Sequence, residues 1–392
     1  MKLNYLSEFI FCSFYMEELY KKILPYDDTW CNIMGFFNPY TDPFEISFTK
    51  RLPMFDKRAF ELYPKYNFVY DKLWVAQSQD LACGDPKNIS PTSSVNYPIF
   101  IKPRWGHKSA SSKNCFKITS YEHLQKYKHI DDMMWSEYIE GTENMTDYVL
   151  LNGNIIYKIT YLYSKEQNGY TESYKYISPN NEAPKHITEW VNKYMVGYSG
   201  VVNMQYRGEY IIEAGLRLAR GGAYVQSMNN NEIVDMINTV YDHNTYVHRS
   251  RENLNFTPFY SFKCFTRIPI IYIFPQYVVD IFMKLFGVKP FYEYYFEPNG
   301  NDGCVFFQFL HENKHIGQLC VTIFTYLFIF AQLFFIIILI MLIYLFYANK
   351  SRFSVVMLNI MIVTTLVYLT QYLNPISVHF NLYKAKRQKT FF

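Results

Sequence analysis

A carboxylate and a guanidinium stand at the end of an apolar hairpin between Val201 and Gly222. Glu213 directly follows three apolar residues, and Arg217 comes four positions later. Burying a carboxylate costs free energy unless a cation or several hydrogen-bond donors meet it. The segment therefore predicts a metal or phosphate site, and the alternative is a half-exposed hairpin with charges on its surface.

Two amide side chains precede this pair in the same hairpin. Asn203 and Gln205 are two residues apart, so they share one face of a strand. If the turn around Gly208 holds an odd number of residues, both amides lie on the face of Glu213, whereas an even turn puts them on the opposite face. The register of the hairpin therefore decides whether these oxygen atoms can act together.

A second charged group ends an apolar strand earlier in the chain. Lys102 closes the run YPIFIK, and the loop PRWGHKSASSKNCF that follows is rich in cations and hydroxyls. A lysine at a strand end presents a point charge, and backbone N–H groups of a small-residue loop can surround a polyphosphate. This pattern indicates phosphate binding, and the alternative is a serine-rich surface loop.

The elements that must position these groups follow from periodicity and turn residues. Asn152-Gly153 is a favoured pair for a type I′ turn and predicts a hairpin between two strands. Asp71 is a candidate N-cap for the helix that follows it. The patterns predict helices over 71–83, 120–127, 187–196 and 230–241, and strands over 97–102, 133–139, 147–151 and 154–163. This mixture indicates an α+β class, and the lack of a GxGxxG motif after a strand argues against a dinucleotide-binding domain.

In this order, the motifs resemble those of the ATP-grasp superfamily, in particular the ATP-binding domain of the carbamoyl phosphate synthetase type. The resemblance runs from Tyr70 to Tyr241 and rests on Asp71-Lys72, YPIFIKP, the serine-rich loop, SEYIEGTE and NMQY…IIEAGLR. It implies an ATP-grasp fold, in which two α+β subdomains clamp ATP between antiparallel sheets. It also implies ATP and Mg²⁺ as cofactors.

The resemblance assigns nucleotide-binding roles to seven residues. Of two lysines, the first belongs to the family's first basic motif and the second would contact the phosphates. Two serines belong to a phosphate lid, two residues would bind adenine through main-chain groups, and a glutamate would accept the ribose hydroxyls. In that order these are Lys72 and Lys102, Ser109 and Ser111, Glu137 and Ile139, and Glu143.

The same resemblance implies a metal site and one catalytic residue in the hairpin. Glu213 and Gln205 would hold magnesium, and Arg217 would stabilise the γ-phosphate or an acyl-phosphate in the transition state. The family usually has Asn two residues after the metal glutamate, but this chain has Gly215, so one oxygen ligand is missing. Asn203 could compensate under one hairpin register.

The sequence suggests four regions. Residues 1–70 are expected to form a short lead-in, in which the Rossmann-like domain that usually precedes an ATP-grasp domain is hard to find. Residues 71–250 are the predicted ATP-grasp domain. Residues 251–316 are expected to link it to the membrane, and 317–392 hold two predicted transmembrane helices and a basic tail. Acceptor contacts are expected from Arg220, Gly221 and Gly222, and from His107.

The C-terminal region is apolar enough to cross a membrane. Residues 319–348 carry no formal charge, and 353–373 form a second apolar stretch, so a helical hairpin is predicted. The alternative is one span with a re-entrant second helix. Positive charges in the tail place the tail and the soluble domain on the cytoplasmic side.

Composition and motifs together favour one function over two others. Lys plus Arg number 38 against 34 for Asp plus Glu, and no long basic stripe appears, so nucleic acid is not an expected partner. The seven scattered cysteines have no paired spacing and indicate neither a zinc site nor a disulfide framework. The first hypothesis is a membrane-anchored ATP-dependent ligase that joins a carboxylate to an amine or thiol. The others are a nucleotide-binding pseudoenzyme and a structural membrane protein.

Overall fold

The computed structural model describes residues 48–53, 55–108, 114–165, 167–168, 171–219, 230–246, 251–266, 276–290, 304–349 and 355–359. The chain divides into two compact units, of which one is Pro43–Ser261 and the other combines Met1–Asp42 with Phe262–Phe392. All the predicted ATP, metal and catalytic residues belong to the first unit.

A four-stranded antiparallel sheet in Pro43–Ser261 carries Lys102. Its strands are β1 (Cys83–Gly84), β2 (Ile99–Pro103), β3 (Phe116–Ile118) and β4 (Met133–Glu137), in the order β1-β4-β2-β3. Ile99 and Ile101 are fully buried in an apolar core that includes Ile118 and Leu124. Because side chains alternate along a strand, Phe100 and Lys102 lie on the opposite face of the sheet.

A larger antiparallel sheet in the same unit carries the charged hairpin. Its strands are β5 (Glu143–Leu151), β6 (Asn154–Tyr163), β9 (Lys175–Ser178), β10 (Gly200–Arg207), β11 (Tyr210–Gly215) and the start of β12 (Phe259–Thr266), in the order β11-β10-β5-β6-β9-β12. A separate pair is formed by β7 (Gln167–Asn168) and β8 (Thr171–Glu172). One face of the large sheet is apolar, with Val202 and Met204 in the main core beside Trp190 and Val191. The other face holds the polar residues of the hairpin.

The turn between β5 and β6 confirms the predicted hairpin. Asn152 and Gly153 have φ angles of +50° and +83°, and positive φ at both central residues is what a type I′ turn requires. A Cβ on Gly153 would lie 2.6 Å from the backbone nitrogen of Gly197. The chain therefore needs glycine here for its backbone angle and for the close approach of a neighbouring turn.

Among the described residues of this unit, five short α-helices accompany the two sheets. They are α1 (Asp56–Leu62), α2 (Lys72–Gln77), α3 (Tyr121–Leu124), α4 (Lys185–Tyr194) and α5 (Asn231–His243), with 3₁₀ helices at Pro64–Tyr70, Pro86–Asn88, Gly106–Lys108 and Arg251–Leu254. Asp71 caps α2 as predicted, since its Oδ1 accepts hydrogen bonds from the backbone N–H groups of Leu73 and Trp74 at 3.1 and 3.4 Å. The predicted extension of this helix to Cys83 is wrong. The helix ends at Gln77, and Cys83 pairs with Ser136 in the small sheet.

The second unit contains β13 (Lys289–Pro290) paired with β14 (Cys304–His311), α6 (Gln276–Phe286) and the long helix α7 (Lys314–Asn349). The first half of α7 buries Cys320, Phe324 and Phe328, which are spaced four residues apart on one face. Farther along, Phe334 and Ile337 are 65% and 61% exposed. The later half of α7 therefore exposes large apolar side chains.

One described helix is long and apolar enough to cross a bilayer, namely α7 over Lys314–Ile338, and little of that stretch is buried. Burial in a soluble core therefore does not account for its composition. The predicted second span over 353–373 lies outside the described residues except for 355–359, which are helical.

Candidate functional site

Lys102 bridges the two sheets of the first unit. Its Nζ donates a hydrogen bond to the Ile212 backbone oxygen in β11 at 2.7 Å, and the side chain is buried. Burial and the neighbouring charge of Lys72 lower the pKa of Lys102 to about 8, although Glu213 acts in the opposite direction. A buried lysine of this kind fits an anionic ligand, because a phosphate would restore the stability of its charged form.

Lys72 reaches the same place from the start of α2. Its backbone N–H donates to the Arg104 carbonyl at 2.9 Å, which fixes α2 against the end of β2. Its Nζ lies 3.3 Å from Glu213 Oε2, and its side chain is only 5% exposed. Three predicted ligands therefore meet at one point, two for ATP and one for the metal. They lie 30 to 141 positions apart in the sequence.

The register of β10 and β11 brings the predicted metal ligands onto one face. Gln205 is paired with Glu213, and Asn203 with Gly215. The turn itself holds two residues, an even number, which would have separated these side chains. A β-bulge at Ile212 adds the residue that returns Glu213 to the face of Gln205. The prediction based on the turn length alone was incomplete, because it did not foresee the bulge.

Asn203 belongs to a buried hydrogen-bond network around Asp147. The Asn203 amide nitrogen donates to Asp147 Oδ1 at 2.8 Å, and the Tyr161 hydroxyl donates to Oδ2 at 2.9 Å. The backbone N–H of Ala219 also donates to this carboxylate, at 3.0 Å. Burial raises the pKa of Asp147 to about 6 despite these hydrogen bonds. The network orients the Asn203 amide, with its nitrogen directed at Asp147.

Arg217 is paired with a carboxylate from the N-terminal lead-in. Its Nη2 lies 2.7 Å from Asp56 Oδ2, and its Nη1 donates to the Leu218 carbonyl at 2.8 Å. The neighbouring carboxylate raises the pKa of the guanidinium even though burial lowers it. Asp56 is therefore a candidate site residue that sequence reasoning missed. It belongs to a segment without clear periodicity, and its partner is 161 residues away.

The predicted adenine and ribose contacts lie at the ends of β4 and β5. The backbone N–H of Glu137 donates to the Ala82 carbonyl at 2.8 Å, and Ala82 N–H donates to the Glu137 carboxylate at 3.0 Å. Ile139 packs against a small apolar cluster that includes Met134. Glu143 forms an ion pair with Arg207 at 3.1 Å, so a ribose would share this carboxylate with a guanidinium.

Some predicted positions have no described geometry or lie at the edge of the cluster. Ser109 and Ser111, and likewise Arg220 to Gly222, fall outside the described residues. His107 stacks on Phe60 with ring centroids 3.8 Å apart, and burial lowers its pKa. Its Nδ1 is buried and has no hydrogen-bond partner among the described residues, so a ligand with a polar hydrogen or acceptor could satisfy it.

The donor set fits a hard cation better than a transition metal. Among the described ranges, no three His, Cys, Asp or Glu side chains are placed to hold a metal ion together. Glu213 and Gln205 instead present carboxylate and amide oxygens side by side. Magnesium takes few protein ligands of this chemistry and shares its coordination with phosphates and water. The residues present are therefore compatible with a magnesium ion that is bound together with a nucleotide.

Comparison with known families gives one partial match. The family model of the Geminivirus rep protein central domain matches residues 121–217. This range is less than half of the chain, and it does not place the chain in that family. No curated protein matches the chain significantly.

Solved structures with a related arrangement include three enzymes. An L-amino acid ligase from Bacillus licheniformis has a TM-score of 0.43 and 12% identity, covering 64% of this chain and 68% of its own. Carboxyaminoimidazole ribonucleotide synthase from Aspergillus clavatus, complexed with ATP, has a TM-score of 0.48 and 11% identity. The match covers 68% of this chain and 78% of that enzyme. Biotin carboxylase from Campylobacter jejuni has a TM-score of 0.42 and 12% identity, and the match covers 65% of this chain and 68% of that enzyme. All three TM-scores lie below 0.5, so the function proposed next rests on the residues of this chain.

Proposed function

We propose that residues 71–250 form an ATP-grasp domain that binds ATP with Mg²⁺ and works as an ATP-dependent ligase. The observation that carries the proposal is the meeting of Lys102, Lys72 and Glu213 between the two antiparallel sheets. Two buried lysines meet a carboxylate in a partly desolvated place. A polyphosphate accompanied by a divalent cation matches these side chains and their surroundings.

The lysines and the hairpin have separate tasks in this proposal. Lys72 and Lys102 bind the phosphates, and the Lys72–Glu213 contact keeps both side chains in place before the nucleotide arrives. Glu213 and Gln205, with Asn203 beside them, would hold the magnesium ion. An ion held there would supply neutralisation of charge on the transferred phosphoryl group.

The proposed reaction joins a carboxylate to an amine or a thiol. A carboxylate oxygen of the first substrate attacks the γ-phosphorus, the bond to the β-phosphate oxygen breaks, and ADP leaves. The amine or thiol then attacks the acyl carbon of the resulting acyl-phosphate, loses its proton, and releases inorganic phosphate. Arg217, held by Asp56, is placed to stabilise negative charge on the transferred group.

The proposal includes attachment to a membrane through the C-terminus. Its support is α7, whose later turns expose large apolar side chains. The apolar stretch over 353–373 would be a second span, and the basic tail would keep the ligase domain on the cytoplasmic side. In this arrangement 1–70 is a short lead-in, 251–316 links domain and membrane, and 317–392 anchors the protein.

Substitution of Lys102 and of Glu213 tests the enzymatic proposal. We expect Lys102→Ala and Glu213→Ala each to lower ATP turnover by at least about a hundredfold, because both remove electrostatic stabilisation of transferred charge. ADP release from the full-length protein, supplied with panels of carboxylates, amines and thiols, measures the effect. Lys87→Ala is the matched control, since Lys87 is paired with Asp131 at the surface. Full turnover in both site variants would refute the assignment.

A pseudoenzyme that binds ATP without turning it over is the second candidate. Gly215 favours it, because the oxygen expected at this position from the resemblance is absent. Nucleotide binding with no ADP formed across the same panels would support this candidate. A protein that does not bind ATP in a thermal-shift titration with magnesium would be neither an enzyme of this type nor a pseudoenzyme.

A further inference from the structure

The space beside Gly215 is occupied by a carboxylate from another part of the chain. Gly215 pairs with Asn203 and lies on the face of β11 that carries Glu213. A Cβ built on Gly215 would lie 2.8 Å from Asp56 Oδ1 and 3.8 Å from the Tyr70 ring. Real Cβ atoms essentially never approach an oxygen so closely. Glycine at 215 and aspartate at 56 therefore depend on each other.

Two side-chain contacts and its place at the start of a helix hold Asp56 in this position. It is the first residue of α1, its Oδ2 pairs with Arg217 Nη2 at 2.7 Å, and its carboxylate is hydrogen-bonded to the Tyr70 hydroxyl. The Tyr70 ring is 1% exposed, and its hydroxyl accepts a hydrogen bond from the Leu216 N–H at 3.0 Å. Asp56 is thus tied to the two residues that follow Gly215.

We propose that Asp56 supplies the side-chain oxygen that position 215 lacks, a role that rests on the proposed ATP and magnesium site. An ionised carboxylate offers two oxygens with about four lone-pair sites, so it can accept from Arg217 and Tyr70 and still face a cation. It is also the hard, negatively charged type of ligand that magnesium prefers. The same carboxylate orients Arg217, so one side chain from α1 serves both the cation and the guanidinium.

The decisive experiment changes the residues at positions 56 and 215 singly and together. The full-length protein is compared with Asp56→Ala, Gly215→Asn and the double variant. Binding of Mn²⁺ to protein saturated with adenylyl imidodiphosphate is followed by electron paramagnetic resonance. Binding of a fluorescent ATP analogue is measured separately in the presence of a chelator, where the cation makes no contribution.

We expect each single variant to bind Mn²⁺ at least about tenfold more weakly. Asp56→Ala removes the oxygen, and Gly215→Asn forces two side chains into one space. The double variant should bind Mn²⁺ within about threefold of wild type, because the new amide takes the place that Asp56 has left. Glu61→Ala is the control, since Glu61 is a half-exposed acid on the same helix and pairs only at the surface with Arg58.

Thermal unfolding of every variant separates this role from a purely structural one. If Asp56 only fills space and positions Arg217, the double variant regains thermal stability relative to Gly215→Asn, but its Mn²⁺ affinity stays as low as that of Asp56→Ala. That result overturns the inference, and so does unchanged Mn²⁺ affinity in Asp56→Ala. Wild-type protein that binds no ATP analogue in the chelator experiment would instead refute the proposed function, so the two failures are distinguishable.

Discussion

At the scale of residues, the site is governed by the burial of charged groups. Lys72 and Lys102 are nearly inaccessible to solvent, and Lys72 forms an ion pair with Glu213. Burial makes the charged form of Lys102 costly and moves its pKa down to about 8. An anion bound between the lysines would reverse that effect and favour the charged form of Lys102.

Asp147 gives a pH dependence of stability that follows from the same principle. Its pKa is raised from an ordinary 3.8 to about 6 in the folded protein, so between these values the folded state binds more protons than the unfolded chain. Stability contributed by this group is therefore present below about pH 4 and is lost as the pH rises through 6. The difference in pKa corresponds to about 3 kcal/mol.

The variant Asp147→Asn tests this expectation. Its unfolding free energy should lack the pH-dependent contribution, so that wild type loses about 2 kcal/mol relative to the variant between pH 4 and pH 7. Chemical denaturation at a series of pH values measures both proteins. Asp131→Asn at the exposed surface is the control, and parallel curves for wild type and Asp147→Asn would contradict the assigned cause.

At the scale of elements, the β10–β11 hairpin depends on its bulge. A regular ladder continued from the Tyr206–Ile211 pair would oppose Gln205 with Ile212 and would turn Glu213 toward the apolar face. The extra residue at Ile212 prevents this, and its carbonyl oxygen is the acceptor for Lys102. One irregularity thus selects the face on which Glu213 lies and connects the large sheet to the small one.

The turn between β5 and β6 permits a prediction about element stability. Gly153→Ala should lower the unfolding free energy by about 2 kcal/mol or more, because the residue has positive φ and its new Cβ would collide with Gly197. Thermal and denaturant unfolding measure the loss. The neighbouring exposed Asn154→Ala should change stability far less, and equal effects of the two substitutions would show that the turn geometry is not limiting.

At the scale of the whole molecule, the two compact units carry different surfaces. The unit Pro43–Ser261 buries its apolar side chains in cores on its sheets, and its polar strand faces carry the candidate site. The later part of α7 in the other unit has large apolar residues exposed around the helix. Exposed apolar surface of this kind indicates a nonaqueous environment or a partner, and its length fits a bilayer.

Two lysines introduced into α7 test membrane attachment. Phe330→Lys and Leu333→Lys together should release the protein from membranes, since both side chains are exposed and a charged residue near the middle of a span costs about 3 kcal/mol. Alkaline carbonate extraction of membranes from expressing cells measures retention. Ile316→Lys lies in the first turn of α7, where a lysine can reach the membrane surface, and should leave retention unchanged. Full retention of the double variant would contradict a span at this position.

The sequence by itself determined which donor types are available and in which order they occur. The turn residues Asn152-Gly153, the cap at Asp71 and the lysine at the end of β2 are local features, and local features follow from backbone preferences over a few residues. For the same reason the α+β class and the apolar helix α7 could be predicted from the sequence. The tertiary structure alone decided the bulge at Ile212 and the contact between Asp56 and Arg217. Both depend on packing between segments far apart in the chain, where the energy of the assembled sheets and helices outweighs any local preference.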